Sequence, residues 1–140
     1  MKRKLIFIFL FFHNYIYIYS KGRVGKTING LPCLILESIG AKTGLTRKNV
    51  LVYLKEGNDI CIVASKGGSD TNPGWYHNLK KNPITTIFIG TKKYTVTAKE
   101  IFEDERLEWW VKMDYLNNGG YQAYQERTKR KIPVMILSIT

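Results

Sequence analysis

Apolar residues in this chain come in short runs separated by turn-forming residues, and most runs are of strand length. Leu31 to Ser38 is apolar and strand-like. Gly40-Ala41-Lys42-Thr43-Gly44 is a turn, Arg47 to Lys55 resumes as a strand, and Glu56-Gly57-Asn58-Asp59 is a tight turn. Ile60 to Ser65 is a third strand, which completes a meander with the Lys42 turn at one end. Ile84 to Ile89 alternates and is rich in β-branched residues; Gly90 to Lys93 turns into a strand over Tyr94 to Phe102. Val134 to Ile139 closes the chain as a sixth strand. Helical patterns are fewer. Gly74 to Lys81 reads as a short helix, with Asn72 as its cap, Pro73 in its first turn and Asn82-Pro83 as its stop. Asp104 is placed to cap a helix from Glu105 to about Asp114, with Trp109 or Trp110 in the core. After the Asn117-Asn118-Gly119-Gly120 loop, Tyr121 to Lys131 reads as a last helix ending before Pro133. Strands that follow one another without intervening helices exclude a doubly wound parallel sheet. The pattern predicts a mainly β (α+β) fold, a small barrel with a few short helices appended.

The first nineteen residues differ. Lys2-Arg3-Lys4 precedes an apolar run from Leu5 to Phe12, then His13-Asn14, then Tyr15-Ile16-Tyr17-Ile18-Tyr19. The start imitates a secretory signal, but no small-x-small cleavage site follows. The run falls short of the roughly 20 apolar residues that span a bilayer. Aromatic residues with flanking lysines suit a segment at a membrane interface; a helix packed on the domain or on a second subunit, or an uncleaved anchor or signal, also fits. Ser20 to Gly30 reads as a basic, glycine-containing linker. Its Gly25-Lys26-Thr27 is not a P-loop, because Ser20 stands where the first glycine belongs and Asn29-Gly30 and Pro32 break the required helix. The expected division is an N-terminal segment, 1–21, and one domain, 22–140.

Composition narrows the function classes. Aromatic residues make up 13% of 140, which excludes a disordered chain. The net charge is +11, and six basic residues with no acid lie in the first thirty positions. Such an excess implies an anionic partner: nucleic acid, a membrane surface or a polyanionic small molecule. The aromatics are not laid out as a stacking sheet with interleaved basic residues, so nucleic acid is not expected as a partner. Cys33 and Cys61 sit in apolar runs without any CxxC pair, as buried thiols in a reducing, cytoplasmic compartment do. No metal set is visible.

No triad or paired carboxylates occur, and the two histidines, His13 and His77, stand alone. An enzyme built this way would rely on a bound cofactor for the hard step. Three clusters suit an anion joined to a flat ring. Lys42-Thr43-Gly44 with Arg47 and Lys48 offers cations, a hydroxyl and loop N–H groups. Ser65-Lys66-Gly67-Gly68 and the start of the Trp75 helix offer further donors. Tyr121, Tyr124, Arg127 and Arg130 add aromatic walls and two guanidiniums at helical spacing.

Several motifs carry a resemblance. Gly40-x-Lys42-Thr43-Gly44-x-x-Arg47, Ala64-Ser65-Lys66-Gly67-Gly68, Asn72-Pro73-x-Trp75-Tyr76-x-Asn78-Leu79-x-x-Asn82-Pro83 and Tyr121-x-x-Tyr124-Gln125-x-x-Thr128-x-Arg130-x-Ile132-Pro133 occur in that order. Over about Gly22 to Ile139 the chain resembles the deazaflavin-dependent nitroreductase family, built on the split β-barrel of flavin-binding oxidoreductases. The resemblance implies a reductase using the deazaflavin coenzyme F-420, whose phosphate and oligoglutamate tail would explain the basic surface. It implies that Ala41, Lys42 and Thr43, with Arg47, Lys48, Asn49, Val50, Leu51 and Val52, line the phosphate and tail path. Val63, Ala64, Ser65 and Lys66, with Gly74, Trp75, Tyr76, His77 and Asn78, would hold the deazaflavin ring, and Tyr121 would close over it. Ser65 and Tyr124 would face the acceptor as catalytic residues, in hydride transfer to a quinone, a nitro group or an activated alkene. The chain departs from the family at Ala41, where Arg is usual, at Val50, where proline is frequent, and at Asn118, where a third tyrosine often stands. The N-terminal segment is similar in position to the membrane-associated start of some members, which implies a site at the inner face of the cell membrane. FMN as the cofactor, and a non-catalytic carrier of deazaflavin or an anionic-lipid module, are the competing readings.

Overall fold

The computed structural model describes residues 2–28 and 30–140, with residues 2–9 and 11 described by backbone alone. The Asn29 chain break and the side chains of Lys2, Arg3 and Lys4 lie outside the described residues. The elements are α1 (Lys2–Tyr19), β1 (Thr27–Ile28), β2 (Leu31–Ile39), β3 (Thr46–Val52), β4 (Leu54–Glu56), β5 (Asp59–Val63), a 3-10 turn (Lys66–Gly68), α2 (Gly74–Lys81), β6 (Ile84–Ile89), β7 (Lys92–Ile101), α3 (Glu103–Leu116), α4 (Gly120–Glu126) and β8 (Val134–Ile139). Among the described residues eight strands replace the expected six. The supposed linker contains β1, which pairs with the start of β2, and the Arg47–Lys55 run bends at Tyr53 into β3 and β4.

All pairings are antiparallel, in the order β1-β2-β6-β7-β8-β5-β4, with β3 on β2. The bend at Tyr53 decides the architecture. Upstream, β3 pairs with β2 over Cys33↔Val52 to Ile39↔Thr46; downstream, β4 pairs with β5. One continuous stretch of chain thus joins the two ends of the curled sheet, and β3 and β5 stay unpaired with each other. The result is the mostly β, split-barrel architecture that the strand pattern and the resemblance imply.

The continuous apolar runs reflect burial on both faces. Ile60 and Ile62 of β5, with Met135 and Leu137 of β8, enter the barrel core beside Leu34, Leu36, Ile87, Val96, Trp75 and Leu79. The alternate residues Cys61, Val63, Val134 and Ile136 pack outward under Trp110, Met113, Tyr121 and Ile132. Trp110 is therefore the core tryptophan, while Trp109 is half-buried. Both cysteines are buried and free.

Three helix boundaries depart from expectation. α3 starts at Glu103 after Phe102, and Asp104 lies inside its first turn with Glu103 and Glu105 rather than capping it. These three acids complement the helix dipole. α4 ends at Glu126, so Arg130 is not on it. Asn72 does not cap α2; Pro73 holds that position, and the Asn72 side chain is engaged elsewhere.

α1 runs unbroken through His13-Asn14 and packs on the barrel. Tyr17 is its anchor, fully buried against Cys33, Ile35 and Phe88. Its hydroxyl donates to Cys33 O (2.8 Å) and accepts from Gly90 N (3.0 Å). Burial raises its pKa above the ordinary phenol value, so the hydroxyl stays a donor. Among the described residues, no helix is long and apolar enough to cross a membrane. Tyr17→Phe strands the buried Cys33 carbonyl and the partly buried Gly90 amide, and is expected to destabilise the protein by about 1–3 kcal/mol in chemical denaturation. An unchanged midpoint would remove Tyr17 as the anchor.

Candidate active site

A cleft of about 1360 Å³ follows the split in the barrel. All seven residues of β3, Thr46 to Val52, line it. Among the described residues β3 pairs with β2 alone, so its second edge is unpaired, while Leu51 packs on the barrel core and Val50 and Val52 pack on the Tyr17 cluster. An unpaired edge of this kind invites a partner of its own. Val63 at the end of β5 and Ser65, Lys66 and Gly67 after it form the opposite lip.

The Gly40–Gly44 turn closes one end. It is held by Gly40 N donating to Leu45 O and Gly44 N donating to Gly40 O, both at 2.8 Å. Buried Asn78 on α2 pins it from behind: its Oδ1 accepts from Ala41 N (2.9 Å) and its Nδ2 donates to Ser38 Oγ (3.0 Å). Lys81 Nζ adds a bond to Ala41 O (2.7 Å). Asn78 thus spends its amide on the turn and acts as the turn's support. Lys42, Arg47 and Lys48 are exposed at this end, and none makes an ion pair among the described residues. Three unneutralised cations beside a strand edge make a site for a polyanion.

Aromatic residues line the same cleft. Trp75, in the first turn of α2, is 6% exposed yet reaches the cleft. Tyr121 is buried, and Tyr124 meets it edge-on with ring centroids 6.4 Å apart. Burial drives the Tyr121 pKa well above that of an ordinary phenol, so it serves as a neutral wall and donor, never a phenolate base. The Ser65 and Tyr124 hydroxyls carry no hydrogen bond among the described residues, and both residues line the cleft.

The cleft gathers Ala41, Lys42, Thr43, Arg47, Lys48, Asn49, Val50, Leu51, Val52, Val63, Ser65, Lys66, Gly74, Trp75, His77, Asn78, Tyr121 and Tyr124. Two expected residues stand outside it. Ala64 is fully buried in the barrel core. Tyr76 turns away to donate to Glu100 Oε1 at 2.6 Å, and burial with that carboxylate pushes its pKa up to about 12. The two guanidiniums expected at helical spacing also part ways. Arg127 lies over the Tyr124 ring at 5.5 Å, while Arg130 is consumed by the loop after β5 and offers no charge to the cleft. Sequence reasoning missed an apolar lip of Leu10, Ile28 and Leu31, and also Asn117. Their apolar runs were visible, but the direction in which α1 and β1 lie on the barrel was not. Asn118, at the place of the expected third tyrosine, faces a different groove beside α3.

The donor set fits a polyanion joined to a planar ring, with Lys42, Arg47 and Lys48 lining the same cleft as Trp75, Tyr121 and Tyr124. Among the described residues, no group of His, Cys, Asp or Glu could hold a metal ion. Asn78→Ala leaves Ala41 N–H and the buried Ser38 hydroxyl without their partner. The expected cost is about 1–3 kcal/mol, with faster amide exchange confined to residues 40–45. Unchanged exchange there would show that the turn holds itself.

Comparison with known proteins narrows the identity. A family described as "F420H(2)-dependent quinone reductase" matches residues 11–138. The chain is 43% identical over 129 residues, 90% of its length and 87% of the relative's, to the F420H(2)-dependent quinone reductase of Mycobacterium tuberculosis strain H37Rv. The solved structure of an "F420-H2 Dependent Reductase (FDR-A)" is similar at a TM-score of 0.70 and 36% identity, covering 76% of this chain and 94% of that one. A second solved chain, described as a "domain-swapped dimer", is similar at a TM-score of 0.72 and 34% identity, covering 86% of this chain and 91% of that one. This chain belongs to the F420H(2)-dependent quinone reductase family.

Proposed function

We propose that this protein is a coenzyme F-420-dependent reductase whose acceptor is a quinone. One observation carries the reading: three cations without acidic partners, Lys42, Arg47 and Lys48, share a single cleft with Trp75, Tyr121 and Tyr124. Polyanion and planar ring are thereby accommodated in one molecule's length. The cleft, at about 1360 Å³, exceeds the roughly 300–1,000 Å³ usual for one small ligand. It has room for coenzyme and acceptor together.

When bound, the reduced deazaflavin supplies a hydride to the acceptor. The protein's part is binding, orientation and charge. The basic end of the cleft binds the tail, with Thr43 and the Ala41–Thr43 backbone beside it. Trp75 and Tyr121 wall the ring. The Ser65 and Tyr124 hydroxyls would donate hydrogen bonds to the acceptor oxygen on which negative charge develops, and each quinol formed takes one hydride from the coenzyme and one proton from solvent water. Nitro groups and activated alkenes present a similar oxygen or electron-poor carbon and would be secondary acceptors. FMN, which lacks the oligoglutamate tail, leaves the three cations unexplained.

We further propose that residues 1–21 act as a docking segment for the coenzyme-binding domain, 22–140, at the cytoplasmic face of the membrane. Tyr15, Ile16 and Tyr19 lie exposed on α1, and Lys21, Arg23 and Lys26 follow them. An apolar stripe with adjacent cations suits an anionic bilayer surface. Leu10 of the same helix lines the cleft, so a quinone leaving the bilayer would meet the acceptor end directly.

Lys42→Ala and Arg47→Ala are each expected to weaken F-420 binding about tenfold, with a smaller loss at high salt. Fluorescence titration with F-420, and separately with FMN, checks this. Normal deazaflavin binding by both variants, or binding of FMN alone, would overturn the cofactor site. Sedimentation with phosphatidylglycerol vesicles tests the docking segment. Tyr15→Ser with Ile16→Ser should release the protein, and equal binding to zwitterionic vesicles would sink the idea.

A further inference from the structure

Arg130 does not line the cleft, yet it fastens together two of its walls. Nε donates to Ser69 O (2.7 Å), Nη2 to Ser65 O (2.8 Å), and Nη1 to Asn72 Oδ1 (2.7 Å) and Ala64 O (3.2 Å). These four acceptors span the whole loop from β5 to α2. A planar guanidinium has five donors in a fixed fork and can serve them together; an ammonium has three on one atom and cannot.

Arg130 is itself tied to α4. Gln125 Nε2 donates to Arg130 O (2.7 Å), and Gln125 Oε1 accepts from Ile132 N (2.9 Å). The same loop meets α4 at one more point and the segment just after it at another. In that segment Thr128 Oγ1 donates to Asp70 Oδ1 (3.0 Å). Gly68, at φ +82°, lies so close to α4 that a Cβ would stand 2.7 Å from Tyr124 O. The loop carries Ser65 and Lys66, and α4 carries Tyr121 and Tyr124. The backbone segments that carry Ser65 and Tyr124 therefore belong to one block.

We infer that Arg130 is a positioning residue that locks the Ser65 loop to α4 and so sets the placement of Ser65 against Tyr124. The inference rests on the reading that this cleft holds coenzyme and acceptor. An acceptor oxygen needs two donors at once, and a displacement of about 1 Å can cost on the order of a hundredfold in rate. The clamp therefore acts on turnover more than on affinity. Gly68 works from the other side of the same seam.

Arg130→Lys and Gly68→Ala, singly and together, test this. In ligand-free protein, amide exchange over residues 65–72 and 120–127 should quicken together by about tenfold or more, with β5 and β8 unchanged. With reduced F-420 and menadione as the quinone, kcat should fall about tenfold or more while the quinone KM moves less than about threefold. Because both substitutions open one seam, the double variant should be little worse than the poorer single one. Exchange that stays slow in both segments, or that rises through the whole barrel, overturns the inference. So does a kcat within about twofold of wild type in a loosened variant, or losses that multiply in the double variant. A wild type that turns over menadione while both variants match it removes the clamp alone. A wild type that neither binds F-420 nor reduces menadione removes the functional reading, and the clamp's role with it.

Discussion

The fold depends on a strand that changes partners. From Thr46 to Val52 the chain is bonded to β2; past Tyr53 it is bonded to β5. One stretch cannot serve both neighbours along its full length, so the barrel closes and splits in the same step. The unpaired edge of β3 is the liability that this leaves. Here it faces a cleft walled by other elements, where it is sheltered from pairing with another chain and open to a ligand.

Two buried or half-buried polar side chains then shape the walls. Asn78 holds the Gly40–Gly44 turn, and Arg130 holds the loop after β5. Arg130 bonds mostly to backbone carbonyls and Asn78 to one backbone amide and one side-chain hydroxyl, so each sets the course of the chain rather than presenting chemistry. Their work leaves Lys42, Arg47 and Lys48 with no acidic partner, and leaves the Ser65 and Tyr124 hydroxyls available. Among the described residues no buried side-chain polar atom lacks a partner, while these cations and hydroxyls share one cleft. That division is the physical signature of a binding site.

α1 extends the same logic. Its inner face is fixed by Tyr17, with bonds to both β2 and the β6–β7 turn. Its outer face stays apolar and exposed at Tyr15, Ile16 and Tyr19. A helix with one committed face and one apolar face in water has a second surface to meet.

The sequence by itself determined the strands, their antiparallel succession and the residues of the basic turn. Strand runs, glycine-bearing turns and the Gly74–Lys81 helix are local signals, governed by backbone freedom and burial within a few residues. They sufficed for a barrel and for the basic and aromatic clusters, while the rest of the expected site residues came from the family resemblance. What the tertiary structure decided was which polar groups are spent. Asn72 reads as a helix cap and Arg130 as an anion binder until 58 residues of separation vanish and each becomes the other's partner. Tyr76 reads as a ring contact until Glu100 takes its hydroxyl. Leu10, Ile28 and Leu31 read as packing until α1 and β1 bring them to the cleft's lip. In each case the competing partner is distant in sequence, and hydrogen-bond competition between distant groups is settled only once the chain has folded.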